Sequence, residues 1–270
     1  MIGAIFVPFA LTYTARVFRQ AIPRPAWARR IDSLADGPDV SGTNFSLTMG
    51  AVRDALDVGS AGDGASSAAI APAADGGAAV LIVLVPAGGD IGRTGDEGGA
   101  TDQSSGVAEV LASSVLLIRR AGHLRANPGE IAFPGGRVEP GESPLAAALR
   151  EAEEEVALIA EDVEVLGELA TVLAARSDVP IRPFVAVAQG RPLLQANPDE
   201  VDCVLLVPLS ELMAPGRYWQ EHWGRADDPT WVMHFFDLGE DVIWGATARM
   251  LHELFLRLFG RWCPVQTEES

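Results

Sequence analysis

Cysteine is scarce in this chain: there are two in 270 residues, Cys203 and Cys263, and no CxxC pair. That excludes a disulfide framework and a cysteine-bound zinc site, and it fits a reducing compartment such as the cytoplasm. Histidine is nearly as rare. His123, His222, His234 and His252 are scattered with no HExxH-type pair, so a histidine-bound metal is not expected. Positive charge is also short, 20 basic residues against 37 acidic ones, for a net charge of −17. A surface of that sign repels nucleic acid and anionic membranes, and neither is expected as a partner. It repels an anionic metabolite as well, unless a cation or a local basic cluster intervenes. The apolar N-terminal stretch "IGAIFVPFALTYTA" (2–15) has fourteen residues. That falls short of the roughly 18–20 of a membrane span. It also lacks the basic residues that precede the core of a secretory signal. No internal repeat is visible.

What is present is enough apolar material, 48%, for a sizeable core, in a chain long enough for one large domain or two small ones. Residues 24–36, "RPAWARRIDSLAD", have the spacing of a short helix packing through Trp27, Ile31 and Leu34. Residues 58–79 are rich in Gly, Ala and Ser and read as a flexible linker, and 87–106 are again low in complexity. Between and after these lie strand-length apolar runs: 79–86, 114–120, 163–173, 181–190 and 230–238. The low-complexity segment 87–106 is then an insertion in a hairpin. Residues 202–214 read as a strand entering a short helix near Pro208, with Cys203 packed in the core. Residues 243–260 carry helical spacing and stop at Gly260. Of the six tryptophans, five follow residue 218 and are expected mostly in the core or an interface.

The chemistry is expected in "FPGGRVEPGESPLAAALREAEEEVAL" (133–158). Ser143 is a capping hydroxyl and Pro144 suits the first helical position. At about 100° per residue, Leu145, Ala148, Leu149, Ala152 and Val156 form one apolar stripe. Glu151, Glu154 and Glu155 fall together beside it, while Glu153 points away. Their repulsion, about 0.2–0.5 kcal/mol per exposed pair, grows at the edge of a buried face. A divalent cation reverses its sign, and Mg²⁺ suits a few carboxylates plus substrate phosphates. Arg150 lies four residues before Glu154 and is placed to orient it. The preceding loop, with Gly135, Gly136, Gly141, Pro134 and Pro140, has the composition that brings backbone N–H groups to an anion.

These residues resemble a known pattern. Gly136, Glu142, Arg150-Glu151, Ala152 and Glu154-Glu155 have the spacing of the Nudix box over 23 residues, with Ala157 where that pattern has glycine. The resemblance implies an α/β/α sandwich with a mixed sheet over residues 77–262, between an N-terminal extension (1–76) and a C-terminal tail (263–270). It implies hydrolysis of a nucleoside diphosphate linked to another moiety, with Glu151, Glu154 and Glu155 as ligands of Mg²⁺ or Mn²⁺. Upstream, "LLIRRAGHLRANPGEIAFPGG" (116–136) is similar to the signature of the coenzyme A pyrophosphatase branch through Leu116, Leu117, Arg120, Arg125, Gly129, Phe133, Pro134, Gly135 and Gly136. Ile118 and Ala121 depart from that signature, while "NPDEVD" (197–202) and "IWGATARML" (243–251) also look like this branch.

The branch implies cleavage of coenzyme A or its acyl derivatives to 4′-phosphopantetheine and adenosine 3′,5′-bisphosphate. Arg120, Arg125, Gly129, Phe133, Gly135 and Gly136 are the expected substrate-binding residues. Arg150 is the expected support of the carboxylates, and Glu154 or Glu200 the expected base. His123 is a further residue within reach of phosphate. ADP-ribose, a dinucleotide and a nucleoside triphosphate stay open as substrates. So do a non-catalytic ligand-sensing domain and a homodimer.

Overall fold

A computed structural model describes residues 29–31, 52, 56, 77–86, 113–173, 179–223 and 231–259. The N-terminal apolar stretch, the linker at 58–76, the segment 87–106, Cys263 and the tail lie outside the described residues. The strands are β1 (Arg29–Ile31), β2 (Ala78–Val85), β3 (Ser114–Arg120), β4 (Ile131–Ala132), β5 (Gly135–Arg137) and β6 (Val163–Glu168). They continue with β7 (Val172–Leu173), β8 (Pro180–Ala188), β9 (Val201–Pro208), β10 (Tyr218–Trp223), β11 (Trp231–Asp237) and β12 (Val242–Trp244). The α-helices are α1 (Pro144–Val156), the short α2 (Leu209–Leu212) and α3 (Gly245–Phe259).

The larger sheet runs β4-β3-β2-β8-β6, with β5 also on β2, β7 on β8 and β9 on β3. β2 and β8 are parallel, while β2 and β3 pair antiparallel at Leu84–Val115 and Val85–Ser114, so the sheet is mixed and 86–113 joins a hairpin. β2 and β3 are continuous apolar runs because both faces are covered. Leu81, Val83, Leu116, Ile118 and Ala186 face a core shared with Ala148, Ala152 and Val156 of α1. Ile82, Leu84, Val115, Leu117 and Val185 face the other core, shared with Leu251, Leu254 and Phe255 of α3. One helix on each face of a mixed sheet is an α/β/α sandwich.

A second sheet, β1-β10-β11-β12, packs on α3 through Phe236 and Phe255, whose rings stand edge to face at 5.9 Å. Here the sequence expectation needs correction. Arg29–Ile31 form a strand antiparallel to Gln220–His222, where the i, i+4 spacing predicts helix. The run 163–173 is two strands, since Leu169–Thr171 leave the ladder after a register shift between Val165 and Gly167. Helical Val52 and Leu56, from the N-terminal extension, are fully buried in the same core as Ile82 and Leu166. A Cβ on Gly167 would lie 2.9 Å from that of Leu56, so Leu56 seats directly on β6.

Beneath the second sheet, the His234 and His252 rings stack 4.2 Å apart, and Tyr218 hydroxyl meets His234 Nδ1 at 2.7 Å. Burial, with His252 and Arg249 nearby, pushes His234 down to about 3. Burial alone pushes His252 to about 4. Among the described residues no helix is long and apolar enough to cross a membrane.

Candidate active site

α1 begins as its sequence dictates. Ser143 accepts the Ala146 N–H at 3.2 Å, and Pro144 fills the first position. It ends at Ala157, whose φ of 58° lies in the left-handed region usually given to glycine. That bend donates the Ala157 N–H to Glu153 and the Leu158 N–H to Ala152, and it returns the chain over the helix end.

The helical wheel orders the three carboxylates. From the edge of the apolar stripe at Ala148, Glu155 lies about 20° away, Glu151 about 60° and Glu154 about 120°. Their side chains are 1%, 15% and 53% exposed in that order. Glu155 is therefore in the interior, where its Oε2 accepts the Gly135 N–H at 2.9 Å and Arg120 Nη1 lies 3.8 Å from Oε1. Burial pushes its carboxyl up to about 7, offset in part by Gly135 and Arg120, while Glu151 and Glu200 push the same way as burial. Burial also raises Glu151, against the pull of Arg150.

Arg150 ties the glycine bend to the helix. Its Nε and Nη2 fork onto Glu142 at 3.0 and 3.2 Å, and Nη2 also reaches the Arg137 carbonyl at 3.2 Å. Its Nη1 donates to Glu151 at 3.0 Å and Glu154 at 3.1 Å. Glu142 in turn is held below its ordinary value by Arg150, with help from the Glu139 amide.

Glu200 arrives from another part of the chain. After β8 the backbone docks on the end of α1: Gln195 N–H donates to Val156 and Asn197 N–H to Glu155, both at 2.9 Å. A turn through Asn197 follows, and the Glu200 carbonyl accepts the Ala121 N–H at 2.8 Å. This brings Glu151, Glu155 and Glu200 together, with one carboxylate oxygen from each within 4.8 Å of the others. Glu154 lies outside this group, on Arg150. Three converging carboxylates are a poor arrangement alone, because two of them are already pushed toward the protonated form. An all-oxygen donor set of this kind fits a hard cation, Mg²⁺ or Mn²⁺.

A cleft of about 210 Å³ adjoins the group. Arg120, Gly135 and Gly136 line one side, and Gly245, Ala246 and Thr247 the other. Arg120 and Gly135 touch both the cleft and Glu155. Of the other expected substrate residues, Phe133 is buried yet lines the cleft, Gly129 makes the turn after β3 at φ 70°, and Arg125 is exposed on that turn. His123 is exposed, with Nε2 3.0 Å from the Asp199 carbonyl, outside the cleft lining. Cys203, expected in the core, is only half-buried on β9. The sequence reading missed Asn197 as the docking residue and Thr247 as a cleft residue. The polar residues of "NPDEVD" were a signal for the first, since Asn197 Oδ1 accepts the Asp199 N–H at 3.2 Å in a side-chain turn.

The NUDIX domain family model matches residues 101–228. The uncharacterized Nudix hydrolase NudL of Citrobacter koseri is 38% identical over 150 residues, which cover 53% of this chain and 74% of that protein. Nudix hydrolase 3 of Caenorhabditis elegans is 42% identical over 103 residues, 37% of this chain and 43% of its own. Among solved structures, a MutT/nudix family protein from Enterococcus faecalis superposes over 70% of this chain and 64% of its own. Its TM-score is 0.40 and its identity 19%. With a relative at 38% identity matched over three quarters of its length, and the box residues on one helix beside the glycine bend, the chain belongs to the Nudix hydrolase family.

Proposed function

We propose that the chain hydrolyses the diphosphate of coenzyme A, or of its acyl derivatives, to (acyl-)4′-phosphopantetheine and adenosine 3′,5′-bisphosphate. The observation that carries diphosphate hydrolysis is the convergence of Glu151, Glu155 and Glu200 beside the glycine bend, with Arg120 between them and the cleft. Support for coenzyme A is the 116–136 signature. Its residues Arg120, Phe133, Gly135 and Gly136 line the same cleft.

Glu151, Glu155 and Glu200 would hold Mg²⁺ or Mn²⁺. Bound there, the cation makes water a stronger nucleophile and offsets charge growing on the phosphoryl oxygens. Arg120 grips phosphate oxygens from the cleft side, and the exposed Arg125 adds a second positive charge at the turn. Gly135 lets the bend close onto β2 and Gly136 lets the Glu151 carboxylate pack against it, and both line the cleft that the diphosphate enters. Arg150 fixes Glu151 and holds Glu154 at the solvent edge. There Glu154 orients the attacking water and accepts its proton.

The test is a substrate panel of coenzyme A, acetyl-coenzyme A, ADP-ribose, NADH and a nucleoside triphosphate, with each metal. Coenzyme A is expected to have the highest kcat/KM. Product analysis in ¹⁸O-labelled water then identifies the phosphorus attacked. Turnover of coenzyme A no faster than that of ADP-ribose rejects the assignment.

A further inference from the structure

The cleft has a second wall that the hydrolytic group leaves unused. It is the first turn of α3, a helix of 15 residues. The first amides of such a helix have no intrahelical acceptor, and its N-terminus carries about half a positive charge. An acidic side chain in the first turn stabilises such a terminus, and α3 has none there. Gly245, Ala246 and Thr247 instead line the cleft. Gly245 opens the helix at φ 64°, and a Cβ there would meet nothing within 4 Å, so the space before these amides is open.

Thr247 supplies an independent observation. It is a polar side chain only 8% exposed, and it faces the cleft without a hydrogen-bond partner among the described residues. A threonine hydroxyl near a helix start usually caps a backbone group, whereas Thr247 lines the cleft and has no such bond to a described residue. Across the cleft, Arg120 Nε is likewise buried without a partner. The start of α3, Thr247 and Arg120 thus line one space of about 210 Å³ in a protein of net charge −17. Glu130 is the acidic residue lining this cleft among those described, and it already has a partner.

We propose that the first turn of α3 is a phosphate-binding subsite. The Thr247 hydroxyl and the amides of Gly245, Ala246 and Thr247, with Arg120 opposite, take the oxygens of a substrate phosphate that is not attacked. This phosphate is either the second member of the diphosphate or a separate phosphomonoester on the ribose. The choice of probe rests on the coenzyme A reading, but the subsite itself requires only an anionic substrate.

The experiment compares wild type, Thr247→Val and Thr247→Ser on coenzyme A and on 3′-dephospho-coenzyme A, with thermal melts as the folding control. Valine keeps the shape and removes the hydroxyl. Thr247→Val is expected to raise KM roughly tenfold with kcat nearly unchanged, as for loss of a hydrogen bond to a charged group, and Thr247→Ser to restore it. A rise with both substrates places the diphosphate at α3. A rise with coenzyme A alone places the ribose phosphate there. An unchanged KM with both, or equal losses in the valine and serine variants, overturns the subsite. A wild type that cleaves ADP-ribose and leaves coenzyme A intact overturns the proposed substrate alone, and the same three proteins on ADP-ribose then decide the subsite.

Discussion

Gly136→Ala separates the fold from the site. Gly136 has no left-handed backbone requirement, so alanine adds no torsional strain and acts through space alone. A Cβ built there falls 2.3 Å from Glu151 Cδ and Oε1 and 2.5 Å from Oε2. No carbon–oxygen contact survives at that distance, so one partner moves. The backbone of Gly136 is laddered to Ala79 of β2, whereas Glu151 is the far end of a flexible side chain. The carboxylate therefore swings away, and it leaves Glu155 and Glu200 by more than the 4.8 Å that now encloses the three.

Stability is expected to fall by no more than about 1 kcal/mol, because the displaced carboxylate lies at the edge of the cleft and keeps Arg150 as a partner. The apparent affinity for Mn²⁺, read as the activation constant of diphosphate hydrolysis, is expected to weaken by about 10–100-fold. A double-mutant cycle isolates the cause. If the added methyl acts only through Glu151, then Gly136→Ala costs nothing further in a Glu151→Gln background. Metal activation unchanged in Gly136→Ala, or full additivity with Glu151→Gln, refutes the reasoning. The equivalent change at Gly135 is a poor test, since its Cβ would lie 2.3 Å from the Ala79 carbonyl and disrupt the sheet itself.

Glu200→Gln is expected to raise the metal activation constant about tenfold or more, whereas Glu154→Gln is expected to lower kcat with that constant nearly unchanged. The opposite pattern in metal titrations exchanges their roles. Ala157→Gly relieves a left-handed residue at the end of α1 and is expected to stabilise by about 1 kcal/mol, raising Tm by roughly 2–4 °C in a melt without loss of activity. Leu56→Ala empties a buried position that the N-terminal extension fills and is expected to cost about 2–5 kcal/mol in a denaturant titration, where a cost near zero detaches the extension from the core. His234 and His252 are held neutral, below their ordinary value near 6.5, so the unfolded chain binds more protons than the native one as pH falls. Their contribution is complete above about pH 6.5 and is lost as pH falls toward about 4 and then about 3, with a loss on the order of 3 kcal/mol for each ring by pH 4, one share of which His252→Phe is expected to remove.

The parts legible in the sequence are those fixed by local pattern and burial. β2, β3, β8 and β9 stand out because a strand buried on both faces has to be apolar throughout. α1 stands out because its cap and stripe lie within its own residues. What was hidden depends on distant partners. Arg29–Ile31 have the spacing of a helix but take their conformation from β10, nearly 190 residues on. β4 and β5 are two- and three-residue strands inside a Gly/Pro-rich stretch, with no room for alternation to show. β10, "YWQEHW", has Gln220 and Glu221 engaged within the second sheet, as where both Trp219 and Trp223 donate to Glu221. The box carboxylates were legible as a group. Their ranking was latent in the wheel angles, but the inclusion of Glu200 depends on the backbone of 195–200 docking on the end of α1.

The net charge of −17 is at odds with an anionic substrate only if charge is counted without distance. At 0.1 M salt the screening length is about 10 Å, so most of the surface acidity is damped before it reaches the cleft. Two unit charges 4 Å apart still interact with about 4 kcal/mol at an effective dielectric constant of 20. Arg120, which lines the cleft, and a cation among Glu151, Glu155 and Glu200 therefore outweigh many distant carboxylates for a phosphate in contact with them. The same arithmetic explains why the acidic group is tolerable. Glu155, at 1% exposure, cannot dilute its charge into water, and only close neighbours stabilise its ionised form. Within the protein these are the Gly135 amide and Arg120, and its carboxyl still sits near 7. A cation among the three carboxylates would supply the remaining stabilisation. Local chemistry in the few ångströms around α1, rather than total charge, sets what this protein binds.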